Sequence, residues 1–180
     1  MALDLSSLRE ALAALNTSLR YLGSDLAADP GLKDQFRGAA IQAFEFTYEL
    51  AFKFMKRQLE EVAAVPSSVD EMTFMQVIRA AAEAGLISDV SRFREYREAR
   101  NITSHSYDRT KAERIAAELP RFASDVAELL TALEARHPGL GEHVRESMAI
   151  AIDGEIHQDA LGEPLAADAE VVLIPRIGGG

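Results

Sequence analysis

Two side chains of this 180-residue chain, Arg100 and His105, are suited to phosphodiester chemistry, and both lie in the polar run Arg97-Glu98-Ala99-Arg100-Asn101-Ile102-Thr103-Ser104-His105-Ser106-Tyr107-Asp108. An arginine fork can clamp a phosphate through several donors, and histidine gives and takes protons near neutrality. Five residues of ideal helix turn the two side chains about 140° apart. They converge only if the helix ends near Thr103, as the β-branched and Ser-rich sequence suggests, or if they face the same pair on a second subunit. With 15 Arg and 4 His in the chain, chance alone produces such a pair about 0.3 times, so the spacing by itself says little. Its surroundings add weight. Residues 91–114 hold seven basic side chains against four acidic ones, a local +3 in a protein of formal charge −10. The competing reading is a solvated helix face with scattered ion pairs, each contributing little.

The overall charge argues against a protein that coats nucleic acid or anionic membrane through bulk attraction. It is also uneven: residues 1–136 carry 21 acidic and 17 basic side chains, whereas 137–180 carry 8 and 2. The composition changes at His137-Pro138-Gly139, where Pro and Gly would end a helix, which predicts a domain over 1–136 and an acidic appendage over 137–180. The absence of cysteine removes disulfides, thiolate zinc sites and a Cys nucleophile, and fits a cytoplasmic protein. A start with Asp4, Arg9 and Glu10 in its first turns predicts neither a signal peptide nor a membrane span. No two of His137, His143 and His157 have the spacing of a helical metal pair, so they read as exposed surface histidines and no metal is expected; no cofactor is expected either.

The elements that must position the cluster read as helices. Leu5, Leu8, Leu12, Leu15, Leu19 and Leu22 step by three and four, giving a first helix that stops at Gly23. A second runs from about Asp34 to Val62 with a stripe of Ile41, Phe44, Tyr48, Ala51 or Phe52, Met55, Leu59 and Val62. A further stripe, Phe46, Leu50 and Phe54, makes it apolar on two faces, so it is either central in its own bundle or shared with a partner subunit. After Pro66-Ser67-Ser68 a shorter helix carries Phe74, Val77, Ile78 and Ala81 to near Gly85. Ser88 reads as the N-cap of a fourth through Phe93, Tyr96 and Arg100. Asp108 or Thr110 opens a fifth, through Ile115, Leu119, Phe122, Val126, Leu129 and Leu133, in which Pro120 should kink or divide the helix. The expected fold is mainly α, an up-and-down antiparallel bundle of four or five helices. The tail reads as a short β-hairpin, from Met148–Ile152 and residues 170–174, with Asp153-Gly154 as a turn.

The string Arg-Asn-Ile-Thr-Ser-His-Ser-Tyr-Asp at 100–108, together with the block at 38–53 from Gly38 through Phe44-Glu45-Phe46-Thr47-Tyr48-Glu49-Leu50 to Lys53, and Ala84-Gly85-Leu86-Ile87, resembles the HEPN superfamily. More narrowly it resembles the nucleotidyltransferase substrate-binding proteins, over roughly residues 3–136. The resemblance implies a helical bundle that forms a homodimer and is encoded beside a minimal nucleotidyltransferase as a toxin–antitoxin-like pair. The motif R-x-x-x-x-H-x-Y is filled by Arg100, His105 and Tyr107. It implies a metal-independent endoribonuclease in which His105 is base or acid for attack by an RNA 2′-hydroxyl, Arg100 stabilises the charged phosphorane, and Asn101 helps position it. Tyr107 would be adenylylated by the partner, silencing the site. The family block also suggests that Glu45, Tyr48, Glu49 and Lys53, with Arg97, line a cleft near Arg100. An i, i+4 ladder of Glu45, Glu49 and Lys53 is the alternative.

The stretch from Val126 to Leu140, then Ile150-Ala-Ile-Asp-Gly154, Pro164-Leu165, Asp168 to Pro175 and the terminal Gly178-Gly179-Gly180, is similar to the second half of a ThiS/MoaD-like sulfur carrier of β-grasp fold. That similarity implies a thiocarboxylate at Gly180 formed by an activating enzyme; a frayed end is the other reading. The amino-terminal hairpin of the carrier fold is missing. Three functions are thus carried forward: a ribonuclease acting on RNA, a non-catalytic partner subunit of a nucleotidyltransferase, and a sulfur carrier.

Overall fold

The computed structural model describes residues 3–103, 108–137, 148–152, 154–157 and 170–175. They form two compact units, one over Leu5–Leu133 and the other made of the described residues before Leu5 and after Leu133.

The larger unit is an up-and-down helical bundle. Helix α1 spans Ser6–Leu22 and buries Leu8, Leu12 and Leu15 against α2, Pro30–Val62, after a 3-10 turn at Asp25–Ala28. Helix α2 begins four residues earlier than the apolar pattern suggests. Asp29 accepts a hydrogen bond from the Leu32 amide and Pro30 takes the first helical position, where its missing N–H costs nothing, so this proline starts the helix instead of breaking it. One short turn, α3 (Ser67–Asp70), leads to α4 (Phe74–Glu83), whose Thr73 and Gln76 form a reciprocal capping box. Gly85, at φ 68°, closes α4 in the left-handed conformation and lets the Leu86 amide reach the Ala81 carbonyl. Helix α5 covers Val90–Ile102. Its N-cap is Asp89, which receives the amides of Ser91 and Arg92, and not Ser88, whose hydroxyl turns to Glu128. Helix α6, Arg109–Arg136, continues through Pro120 undivided, with Leu119 and Phe122 both fully buried.

The core gathers on one face of α2. Phe44, Phe122 and Tyr96 meet edge to face, with centroids 4.8 Å apart for Phe44–Phe122 and 5.0 Å for Tyr96–Phe122. The Tyr96 hydroxyl donates to buried Asp125 at 2.7 Å, and Arg92 pairs with the other carboxylate oxygen at 3.0 Å, so this acid is buried with both oxygens satisfied. The second apolar stripe of α2 divides: Phe54 joins the core, whereas Phe46 is 62% exposed, as is Val62 at 67%. The core fills one face, and Phe46 stands outside it.

In the smaller unit, β1 (Met148–Ile152) pairs antiparallel with β2 (Glu155–His157) and with β3 (Val171–Pro175), in the order β2-β1-β3. The expected hairpin of β1 with 170–174 is therefore one half of a three-stranded sheet, with Ile150 opposite Leu173. The turn residue Gly154, at φ 85°, closes the β1–β2 hairpin that pairs Ile152 with Glu155. A three-residue strand carries too little alternation to be read from sequence.

Candidate functional site

Arg100 occupies the last turn of α5, where a cation complements the partial negative charge of the helix end. The helix stops at Ile102, and Thr103 follows as its cap. The helix thus ends near Thr103, as the β-branched and Ser-rich sequence suggests. Ser104, His105, Ser106 and Tyr107 lie outside the described residues, and so does Gly180.

Two carboxylates on α2 hold Arg100. Its Nε donates to Glu49 at 3.0 Å, and an Nη lies 4.0 Å from Glu45. The buried Thr103 hydroxyl is directed at the same Glu45 carboxylate and, at 2.7 Å, at the Arg100 carbonyl. Glu45 and Glu49, one turn apart, thus cross to α5, and neither pairs with Lys53 among the described residues. Lys53 is exposed.

Beside this pair runs an open groove of about 430 Å³ between α2, the start of α4 and the end of α5, walled by Tyr48, Phe52, Phe74, Arg97, Arg100 and Asn101. Tyr48, Glu49, Arg97, Arg100 and Asn101, singled out from sequence, all line it; Glu45 and Lys53 do not. Sequence reasoning missed Phe52 and Phe74. Their rings stack at 5.4 Å, and the Arg97 guanidinium lies over Phe74, 4.1 Å from its centroid. The Lys56 ammonium at the groove pairs with Asp70 at 3.0 Å. Burial pushes the Tyr48 phenol up to about 12, with Arg97 pulling the other way, then Glu49 adding to the rise and Arg100 opposing it. It stays protonated across the neutral range and can donate a hydrogen bond.

On the far side of Glu45 is a second hollow of about 480 Å³, with Asp34, Arg37, Gln42, Glu45, Thr103 and Arg109 among its walls. Arg37 is buried there and pairs with Asp34 and, at 3.4 Å, with Glu113. One signal for it was available: Arg37 stands four residues before Ile41 and seven before Phe44, a charge on the apolar stripe. Among the described residues no group of three or more His, Asp or Glu is placed to hold a metal ion, and no helix is long and apolar enough to cross a membrane.

A family model for proteins described as nucleotidyltransferase substrate binding protein like matches residues 3–135. The chain belongs to that family. A probable ribonuclease HepT from Haemophilus influenzae is a further relative, 41% identical over 106 residues, which are 59% of this chain and 73% of that protein. A Haemophilus influenzae structure, described as revealing the fold of a substrate binding domain of a nucleotidyltransferase, superposes with a TM-score of 0.66 at 34% identity. It covers 73% of this chain and 99% of that one. A Thermus thermophilus structure superposes at 0.53 and 26% identity, covering 70% and 98%. A ThiS family model matches residues 107–180, overlapping the first match along α6. The family's bundle therefore carries, in this chain, a tail similar to sulfur carriers.

Tyr48 makes a pH dependence measurable. Below pH 10 its phenol is protonated both folded and unfolded; above that the unfolded phenol ionises first, so stability falls as pH rises toward the folded value of about 12. Replacing Tyr48 with Phe is expected to make the loss of stability between pH 10 and 12 shallower, by up to about 1.4 kcal/mol per pH unit, in denaturant melts. Equal slopes for the two proteins would contradict this.

Proposed function

We propose that the chain is a metal-independent endoribonuclease, working in the cytoplasm as a homodimer and silenced by a nucleotidyltransferase partner as one half of a toxin–antitoxin-like pair. The observation that carries the reading is the placement of Arg100 at the end of α5, oriented by Glu49 and Glu45 at the rim of an open groove, in a chain that over 106 residues is 41% identical to a probable ribonuclease. In the reaction, His105 removes the proton of an RNA 2′-hydroxyl and the 2′-oxygen attacks the adjacent phosphorus. The bond to the 5′-oxygen breaks and that oxygen takes up a proton. A 2′,3′-cyclic phosphate remains. Arg100 neutralises charge on the phosphorane, where a donor stabilises more than it does in the ground state, and Asn101 helps to position that phosphorane. Tyr107 is the acceptor of AMP: its phenolic oxygen attacks the α-phosphorus of ATP and pyrophosphate leaves. The bound AMP blocks the site and adds negative charge.

Replacing His105 with Ala is expected to lower RNA cleavage by about 10²- to 10⁴-fold. In parallel, wild-type protein incubated with its nucleotidyltransferase and ATP should gain the mass of one AMP and lose cleavage, and the Tyr107→Phe variant should do neither. Undiminished cleavage by His105→Ala, or none by the wild type, leaves the alternative of a non-catalytic partner subunit. The structural relative described as a nucleotidyltransferase substrate binding domain favours that alternative.

Homodimerisation rests on α2. Phe46, 62% exposed, stands between Glu45 and Thr47 on a helix whose other face is already filled, and a large exposed aromatic is a common anchor of an interface. The solution mass is expected to be that of two chains, and Phe46→Glu should reduce it to one. A single-chain mass for the wild type would refute the dimer.

For residues 137–180, taken as a partial β-grasp domain beside the bundle of 1–136, the ThiS match supports a subordinate role in which Gly180 is activated and thiolated. Incubation with a carrier-activating enzyme and a sulfur donor should then raise the intact mass by a thiocarboxylate. An unchanged mass removes the role.

A further inference from the structure

The two arginines of the groove are in opposite electrostatic states. Arg100 is paired with two carboxylates, while Arg97, exposed one turn earlier on α5, pairs with no carboxylate among the described residues and rests instead over the ring of Phe74 at 4.1 Å. Phe74 is in turn stacked on Phe52. A guanidinium supported by a ring is held in place without being neutralised, and its planar surface is one on which nucleobases stack. The other wall supplies Tyr48, a residue 8% exposed overall, whose hydroxyl has no hydrogen-bond partner among the described residues. No buried side-chain polar atom among the described residues lacks a partner, so this hydroxyl opens on the groove, where it can donate to a bound group.

These features together describe a nucleotide subsite. We infer that the groove binds one nucleotide unit of single-stranded RNA beside the phosphate held by Arg100, with the base stacked on Arg97 over Phe74 and Phe52 and the Tyr48 hydroxyl donating to that nucleotide. The inference rests on the ribonuclease reading for its substrate class. It adds that the enzyme reads unpaired RNA, because a base inside a duplex has both faces covered and cannot reach a side-chain platform. The net charge of −10 fits the same picture: with weak bulk attraction for phosphate, stacking supplies a large share of the affinity.

The test uses the full chain and two uncleavable probes, a short 2′-O-methylated oligoadenylate and an abasic ribose-phosphate strand of equal length carrying the same 2′ group. The wild type is expected to bind the base-bearing strand about fivefold to a hundredfold more tightly. Arg97→Lys keeps the charge and removes the plane. It should bring the base-bearing strand close to the abasic one while leaving abasic binding and the salt dependence nearly unchanged. Phe74→Leu, which removes the supporting ring, should act in the same direction, and a duplex of the same sequence should bind no better than the abasic strand. Equal affinity of the wild type for both strands, parallel losses on both strands in Arg97→Lys, or no binding at all would overturn the subsite. Binding with the expected pattern but no RNA cleavage by the wild type would sink the ribonuclease reading and leave the subsite standing.

Discussion

Arg100 leaves the final turn of one helix and ends between two carboxylates of another, and the site depends on that crossing. A free arginine side chain at a helix terminus samples many rotamers, and ordering it on a substrate would cost about 2 kcal/mol of side-chain entropy. Glu49 and Glu45 meet that cost during folding. They stand one turn apart on α2, and Thr103 fixes Glu45 from the α5 side. The pair is half exposed, so its contribution to stability is small. Its significance is positional: it ties the end of α5 to the spine of the bundle.

Helix α2 can hold that position because its opposite face is locked. Phe44 meets Phe122 edge to face, Phe122 meets Tyr96, and Tyr96 is anchored through its hydroxyl to buried Asp125. A core of interlocking rings transmits little slack, so the carboxylates on the outer face of α2 and the arginines on α5 keep their separation. The groove beside them follows from this arrangement, with α4 contributing Phe74 as its far wall.

Much of this was legible in the sequence, and the failures have physical causes. The leucine steps of α1, the stripe through Ile41, Phe44, Tyr48 and Met55, and the end of α5 near Thr103 all follow from periodicity and local chemistry. The apolar pattern places the start of α2 four residues late because proline serves both to stop and to start helices, and only the cap at Asp29 decides which for Pro30. Asp89 and Ser88 are adjacent residues of equal capping ability, which sequence alone does not rank. The shelf of Phe52, Phe74 and Arg97 escaped notice because its members come from three helices, and no local pattern records that their side chains meet. The groove residues Tyr48, Glu49, Arg97, Arg100 and Asn101 were found mainly through family resemblance; spacing alone left Arg100 and His105 a weak signal.

In the proposed reaction the attacking oxygen belongs to the RNA and no metal takes part. The most direct measurement is the identity of the RNA ends left by the purified chain in the presence of a strong metal chelator. Attack by the 2′-hydroxyl leaves 2′,3′-cyclic phosphate and 5′-hydroxyl ends, expected from the wild type and lost when Arg100 is replaced with Ala. Uncut RNA, or 5′-phosphate ends that form only when a divalent cation is restored, would contradict it.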